Sequence, residues 1–166
     1  MKPPLKKNYT NDFQTPPDAL EPLYPYLKKD WLIWEPACGK GNLVNALAEH
    51  GYSVRATDIT GGADFLTIPP APFDCIITNP PYSLKQQFLE RCYDLGRPFA
   101  LLLPLTTFET EKRQALFRKY GVEVVFLPKR LNFETPSGKG AGSWFATMWV
   151  THGLGIHPQL TFTIAK

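Results

Sequence analysis

Asn79, Pro80, Pro81 and Tyr82 stand in a row directly after Cys75 to Thr78, a short apolar run that predicts a buried strand. An asparagine at the carboxyl end of such a strand, stiffened by two prolines and followed by an aromatic, sits where open α/β sheets bind ligands. The residue types suit one difficult reaction. An exocyclic amine on a heteroaromatic ring is a poor nucleophile, because its lone pair is delocalised into the ring. Two acceptors aimed at its N–H bonds would draw the nitrogen toward tetrahedral geometry. The side-chain oxygen of Asn79 and the carbonyl of Pro80 can supply them, and Tyr82 offers a flat face for the ring. The same four residues could also simply end a strand in a turn, so the rest of the chain has to decide.

A second group of residues supplies that context. Trp31 to Glu35 predicts another buried strand, which runs into Pro36, Ala37, Cys38, Gly39, Lys40, Gly41 and Asn42 and then into a helix with Leu43, Val44, Leu47 and Ala48 on one face. Glycines in a strand-to-helix turn let a ligand approach the backbone. Asp58 follows roughly twenty positions after Gly39 at the end of a third apolar stretch, Val54 to Thr57, a spacing suited to ribose hydroxyls. With Asn42 and Leu43 where a further glycine would serve a pyrophosphate, a nucleoside without phosphates fits better.

The elements needed to position these groups alternate along the chain. Ser83 and Gln86 predict a capping box for a helix with the stripe Leu84, Phe88, Leu89, Cys92 and Leu95, stopped by Gly96. Phe99 to Leu103 reads as a buried strand. Glu109 and Glu111 open a helix that closes on Arg118, Lys119 and Gly121, charges placed as the helix dipole favours. Val122 to Leu127 and Trp144 to Val150 predict two more strands with a polar, glycine-rich link, Glu134 to Gly142, between them. Strands alternating with helices imply a mostly parallel sheet with helices on both faces.

Length and composition suit one α/β domain. At 166 residues the chain can bury one core, and no apolar run reaches the roughly 18 residues of a membrane helix. The start, Met1 to Lys7, carries lysines and prolines with no apolar stretch behind it, so a cytoplasmic protein without membrane attachment is expected. Cys38, Cys75 and Cys92 form no Cys-x-x-Cys. Cys75 and Cys92 lie on apolar faces as reduced core residues, while Cys38, in the turn, is either a small filler or reactive. His50, His152 and His157 show no ligand spacing, so no metal site is expected. A net charge of +3, from 18 basic and 15 acidic residues, permits a nucleic-acid partner without requiring one.

Taken together, these motifs resemble the class I S-adenosylmethionine-dependent methyltransferases, specifically the compact, phage-like DNA adenine-N6 (amino) type with an Asn-Pro-Pro-Tyr motif, over nearly the whole chain. The resemblance implies a Rossmann-like fold with a seven-stranded, mostly parallel sheet and an antiparallel C-terminal edge hairpin. It implies S-adenosylmethionine as cofactor, its methionine end held by Glu35, Pro36, Ala37, Cys38, Gly39, Gly41 and Asn42. Asp58, with Ile59 beside it, would meet the ribose, and Asp64 and Phe65 the adenine. Phe13, Gln14, Thr15 and Pro16 are similar to the family segment that precedes the first cofactor motif and packs against the methionine portion. Residues 1–30 would therefore cover the cofactor site of a single 1–166 domain. Asp74 to Tyr82 would be the catalytic motif, with Asn79 also touching the cofactor.

For the substrate, Lys129 and Arg130 beside Phe133, and Lys139 in the glycine-rich link, interleave cations with an aromatic as a nucleic-acid strand requires. In the resembled family an aromatic from this region faces the target base opposite the catalytic tyrosine; Phe133 is the candidate, or else a core residue. Lys112, Arg113, Arg118 and Lys119 are either a phosphate contact or a solvated helix face. Roughly 30 residues before the cofactor fold and about 15 after it are too few for a separate target-recognition domain, so low sequence specificity is expected. The expected partner is DNA, with RNA adenine or guanine amino groups as the alternative. A protein glutamine amide poses the same delocalised nitrogen. A non-catalytic binding module on the cofactor fold is the rival of a different class.

Overall fold

The computed structural model describes residues 14–135, 138–139 and 145–162. After two short 3-10 turns, Pro17–Leu20 and Tyr24–Tyr26, the chain forms β1 (Leu32–Glu35), α1 (Asn42–Glu49), β2 (Ser53–Ala56), β3 (Cys75–Thr78), α2 (Lys85–Leu95), β4 (Phe99–Pro104), α3 (Glu111–Tyr120) and β5 (Glu123–Phe126). A two-residue pair, β6 (Glu134–Thr135) and β7 (Gly138–Lys139), then leads to β8 (Thr147–His152) and β9 (Leu160–Phe162). The main sheet has the order β2-β1-β3-β4-β8-β5-β9. β8 is antiparallel to both β4 and β5, and every other neighbouring pair is parallel.

Two details correct the expected architecture. The body of the sheet has six strands, and a seventh is reached only by counting three-residue β9 beside β5. The antiparallel β5/β8 pair forms as expected but not at the edge: β8 inserts between β4 and β5, and β9 covers the outer side of β5.

Successive strand residues feed two different apolar layers, the period-2 geometry of a sheet covered on both faces. Ile33, Cys75, Ile77, Ala100, Leu102, Val125 and Trp149 join α1 and the N-terminal 3-10 turns in one layer. Trp34, Ile76, Phe99, Leu101, Leu103, Val124, Met148 and Val150 join α2 and α3 in the other. Trp34 and Trp149 are fully buried, and each indole N–H is satisfied: Trp34 Nε1 donates to Thr57 Oγ1 at 2.9 Å, and Trp149 Nε1 to the Ala19 carbonyl at 2.7 Å. The second bond ties the N-terminal segment onto β8.

The helices depart from their sequence patterns in places. α1 buries Leu43, Ala46 and Leu47, leaving Ala48 exposed and Val44 half-buried, because its inner face is set by packing against the Pro17–Leu20 turn. No capping box forms on α2. A 3-10 turn, Tyr82–Leu84, carries the chain past Ser83, the helix begins at Lys85, and Gln86 instead bonds Glu90 one turn on at 2.9 Å. In α3, Glu111 and the Arg118/Lys119 pair sit at the expected ends, whereas Glu109 belongs to the preceding 3-10 turn.

Candidate active site

The carboxyl ends of β1, β2 and β3 open into one cavity of about 610 Å³. β1 ends at Glu35, and the following turn is held from two sides. From β2, the Thr57 carbonyl accepts from Cys38 N–H at 3.1 Å, and Asp58 Oδ2 accepts from Gly39 N–H at 3.0 Å. From the N-terminal segment, Gln14 Oε1 accepts from Lys40 N–H at 3.0 Å. Gly39 has a φ of +51°, where a side chain would be strained, and a Cβ there would also press on the end of the Gln14 side chain, 3.0 Å from Nε2.

Asp58 caps the short turn that follows β2, its Oδ1 accepting from Thr60 N–H at 2.9 Å and Thr60 Oγ1 at 2.7 Å. Partial burial works to raise its carboxyl, but the hydrogen bonds from Thr60 and Gly39 win and hold it below the ordinary carboxylate range. Beside it Ile59 is 66% exposed and lines the cavity. Asp64 and Phe65 complete that wall. Phe65 is buried against Trp34 and Phe88, and Asp64 Oδ1 accepts from Leu66 N–H at 3.0 Å.

Glu35 is 1% exposed. Burial pushes its carboxyl up to about 8; Thr78 and the Ala37 N–H, 3.0 Å from Oε1, pull it partly back, and Asp58 adds to the rise. An acid in that position is poised to ionise when a cation arrives.

β3 ends at Asn79. Its Nδ2 donates to Thr15 Oγ1 at 2.9 Å, while its Oδ1 is buried with no hydrogen-bond partner among the described residues. Pro80 is buried behind it, and Pro81 lines the cavity. Asp74, at the opposite end of β3, is structural: Oδ2 accepts from Leu32 N–H at 2.8 Å, and its own N–H donates to the Leu32 carbonyl.

The cavity wall thus gathers Gln14, Thr15, Glu35, Pro36, Ala37, Cys38, Gly39, Asn42, Asp58, Ile59, Asp64, Phe65 and Asn79 from among the residues expected to hold a cofactor. Pro16 and Gly41 stand off it; Pro16 opens the first 3-10 turn, and Gly41, at φ +87°, is the N-cap of α1. Lys40, Leu43, Thr60, Ala63, Leu84 and Phe88 also line the wall. Lys40 and Thr60 adjoin the turn and Asp58, so proximity to those motifs was their signal; Leu84 and Phe88 read only as helix core.

The substrate side differs more. Phe133 is 6% exposed and packs in the α1 layer, across the sheet from Tyr82, so it is a core residue. Among the described residues Phe145 meets Tyr82, edge-on with ring centroids 5.5 Å apart, and is 39% exposed. Burial pushes the Tyr82 phenol up, and its OH has no partner among the described residues. Lys129 pairs with Asp18 at 3.1 Å, Arg130 is exposed, and Lys139 falls in β7. Arg113 is no phosphate contact: it is buried and donates to the carbonyls of Thr106 and Thr107, while Lys112 pairs with Glu90 at 3.0 Å. Phe13, Trp144 and most of the glycine-rich link lie outside the described residues. Among the described residues no helix is long and apolar enough to cross a membrane, and no His, Cys, Asp and Glu cluster could hold a metal.

No family model and no curated protein matches the chain. Solved structures do. A protein assigned as an RNA methyltransferase from Pyrococcus horikoshii superposes with a TM-score of 0.54 at 15% identity, over 87% of this chain and 88% of that one. A dimethyladenosine transferase from Plasmodium falciparum gives 0.52 at 12%, over 84% and 62%. A modification subunit assigned to a type I restriction enzyme of Vibrio vulnificus YJ016 gives 0.50 at 16%, over 84% of this chain and 44% of that one. The chain therefore spans under two thirds of the last two proteins. At these identities the likeness is one of fold, and the fold is the Rossmann-like methyltransferase fold.

Proposed function

We propose that this protein is an S-adenosylmethionine-dependent methyltransferase acting on the exocyclic N6 amine of adenine in DNA, with low sequence specificity. The observation that carries the reading is Asn79 Oδ1, a buried acceptor on a residue of the cavity wall, with no partner among the described residues, on an amide whose other end is engaged by Thr15. A buried polar atom left unpaired costs about 1–3 kcal/mol, a cost that an incoming N–H would remove.

The wall fits the cofactor chemically. The Glu35 carboxyl, half-neutral near pH 8, suits an α-ammonium; Asp58, ionised, suits ribose hydroxyls; Ile59 and Phe65, with Asp64, suit a flat base bearing an amino group. When bound, the cofactor supplies an electrophilic methyl on a sulfonium. The chain's own part is to receive the adenine amine. Asn79 Oδ1 and the Pro80 carbonyl accept its two N–H bonds, localise the nitrogen lone pair and stabilise the positive charge that develops on nitrogen. Tyr82 and Phe145 offer ring faces to the base; an adenine in a duplex must first leave its stack, which costs a few kcal/mol. No cysteine takes part: Cys75 and Cys92 are buried, and desolvation raises the Cys38 thiol.

RNA is the second reading. The Pyrococcus horikoshii protein, assigned to RNA, matches over most of both chains, whereas the restriction subunit is matched over less than half of its length. Transfer of labelled methyl to duplex DNA, single-stranded DNA, total RNA and a protein extract, followed by nucleoside digestion, tests both. N6-methyladenine in DNA supports the proposal. Label in RNA or protein keeps the chemistry and moves the substrate, and cofactor binding without transfer makes the chain a binding module.

A further inference from the structure

Gln14 and Thr15 touch both halves of the candidate site at once. Gln14 accepts from the glycine turn through Lys40 N–H, and Thr15, 4% exposed, accepts from Asn79 Nδ2 across 64 residues of sequence. A carboxamide can sit in its socket in two orientations of nearly equal shape. Only one of them offers an acceptor to an amine. Turned the other way, Nδ2 would meet the substrate's N–H bonds donor to donor and leave two buried N–H groups unpaired.

We infer that Thr15 is a positioning residue for methyl transfer: its hydroxyl oxygen, accepting from Asn79 Nδ2, holds the amide in place with Oδ1 left for the amine, and joins the catalytic strand to the segment that closes the cofactor turn. This rests on the transferase reading above. The hydroxyl forms and breaks no covalent bond; its contribution is to hold a neighbouring dipole in place before the amine arrives, the condition under which such dipoles act most strongly on a transition state.

The test compares Thr15→Val, which keeps the shape and removes the hydroxyl, with Thr15→Ser, which keeps the hydroxyl. The probe is S-adenosylmethionine with a labelled methyl and an adenine-containing oligonucleotide, both at saturation. Thr15→Val is expected to lower kcat about 10- to 100-fold, the usual scale for a misplaced catalytic group. Its KM for the cofactor should change little, and Thr15→Ser should restore kcat to within a few-fold. Thr15→Val added to Asn79→Ala should cause no further loss, since the effect passes through Asn79. If Thr15→Val fails to fold in a thermal melt, Thr15→Ala carries the same comparison. A loss confined to KM for the cofactor would make Thr15 a cofactor contact and overturn the proposal. So would a serine variant as impaired as the valine one. Transfer untouched by either change overturns this inference alone, whereas no transfer by the unaltered chain overturns the transferase reading and this inference with it.

Discussion

Glu123 on β5 and Asn79 at the end of β3 both present side-chain acceptors, and they are satisfied to opposite degrees. Glu123 accepts from the Thr151 hydroxyl at 3.1 Å and from the main-chain N–H groups of Leu154, Gly155 and Ile156 at 3.0–3.2 Å, pinning the chain that follows β8. Asn79 Oδ1 accepts from none of the described residues. A paired acceptor stabilises the fold and has nothing left for a ligand; an unpaired one costs stability and keeps its capacity for a substrate. The first part of the main sheet, β1 to β3, carries the cavity, and the other part, β4, β5, β8 and β9, carries the closed network.

Removing each acceptor should separate the two uses. Asn79→Ala should cut methyl transfer by about 10²- to 10³-fold, the range for losing one preorganised group that stabilises developing charge. Cofactor binding, followed by calorimetry, should survive, and a variant that still turns over normally would break the contrast. Glu123→Ala should do the reverse, lowering stability by about 2 kcal/mol, or roughly 4–8 °C in Tm, with kcat per folded molecule unchanged. The two aromatics sharpen it further. Phe145→Ala should raise KM for the nucleic acid about 10-fold by removing a stacking surface. Phe133→Ala should leave KM alone and lower the melting temperature.

The smallest effect is a slope with pH. Glu35 holds its proton in the folded chain up to about 8, while in the unfolded chain it loses it near its ordinary 4.5. Folding therefore takes up a proton between those values, so this group's favourable contribution is complete below the unfolded value and is lost as pH rises toward about 8. Thermal melts of the ligand-free protein should fall across that window, and Glu35→Gln should flatten the fall.

What sequence alone revealed was local. Strand β3 and the tetrad after it, the Glu35 to Asn42 turn, and Asp58 at the end of β2 are each written in a few adjacent residues, and the fold places most of them on one wall. What it concealed was pairing at a distance. Nothing in the neighbourhood of Thr15 announces Asn79, and nothing around Glu123 announces the N–H groups some thirty residues on that it gathers. Phe133 and Phe145 are equally aromatic and flank the same link; which one packs in the core and which meets Tyr82 depends on how β8 threads between β4 and β5. The Ser83 capping box failed for a related reason: Pro81 leads into a tight turn that the four-residue pattern does not weigh.

The indole of Trp149 sets a schedule for synthesis. Its hydrogen bond to Ala19 spans 130 residues, and Ala19, Leu20 and Leu23 pack in the same layer as Trp149, Leu154 and Ile156. Gln14 and Thr15, just ahead of that anchor, are made well before β8, yet the surface that seats them is finished only when β8 has followed. A nascent chain that has already made its glycine turn and its Asn-Pro-Pro-Tyr tetrad therefore lacks the strand that seats the segment over the cavity, and that segment can settle only once β8 has been made.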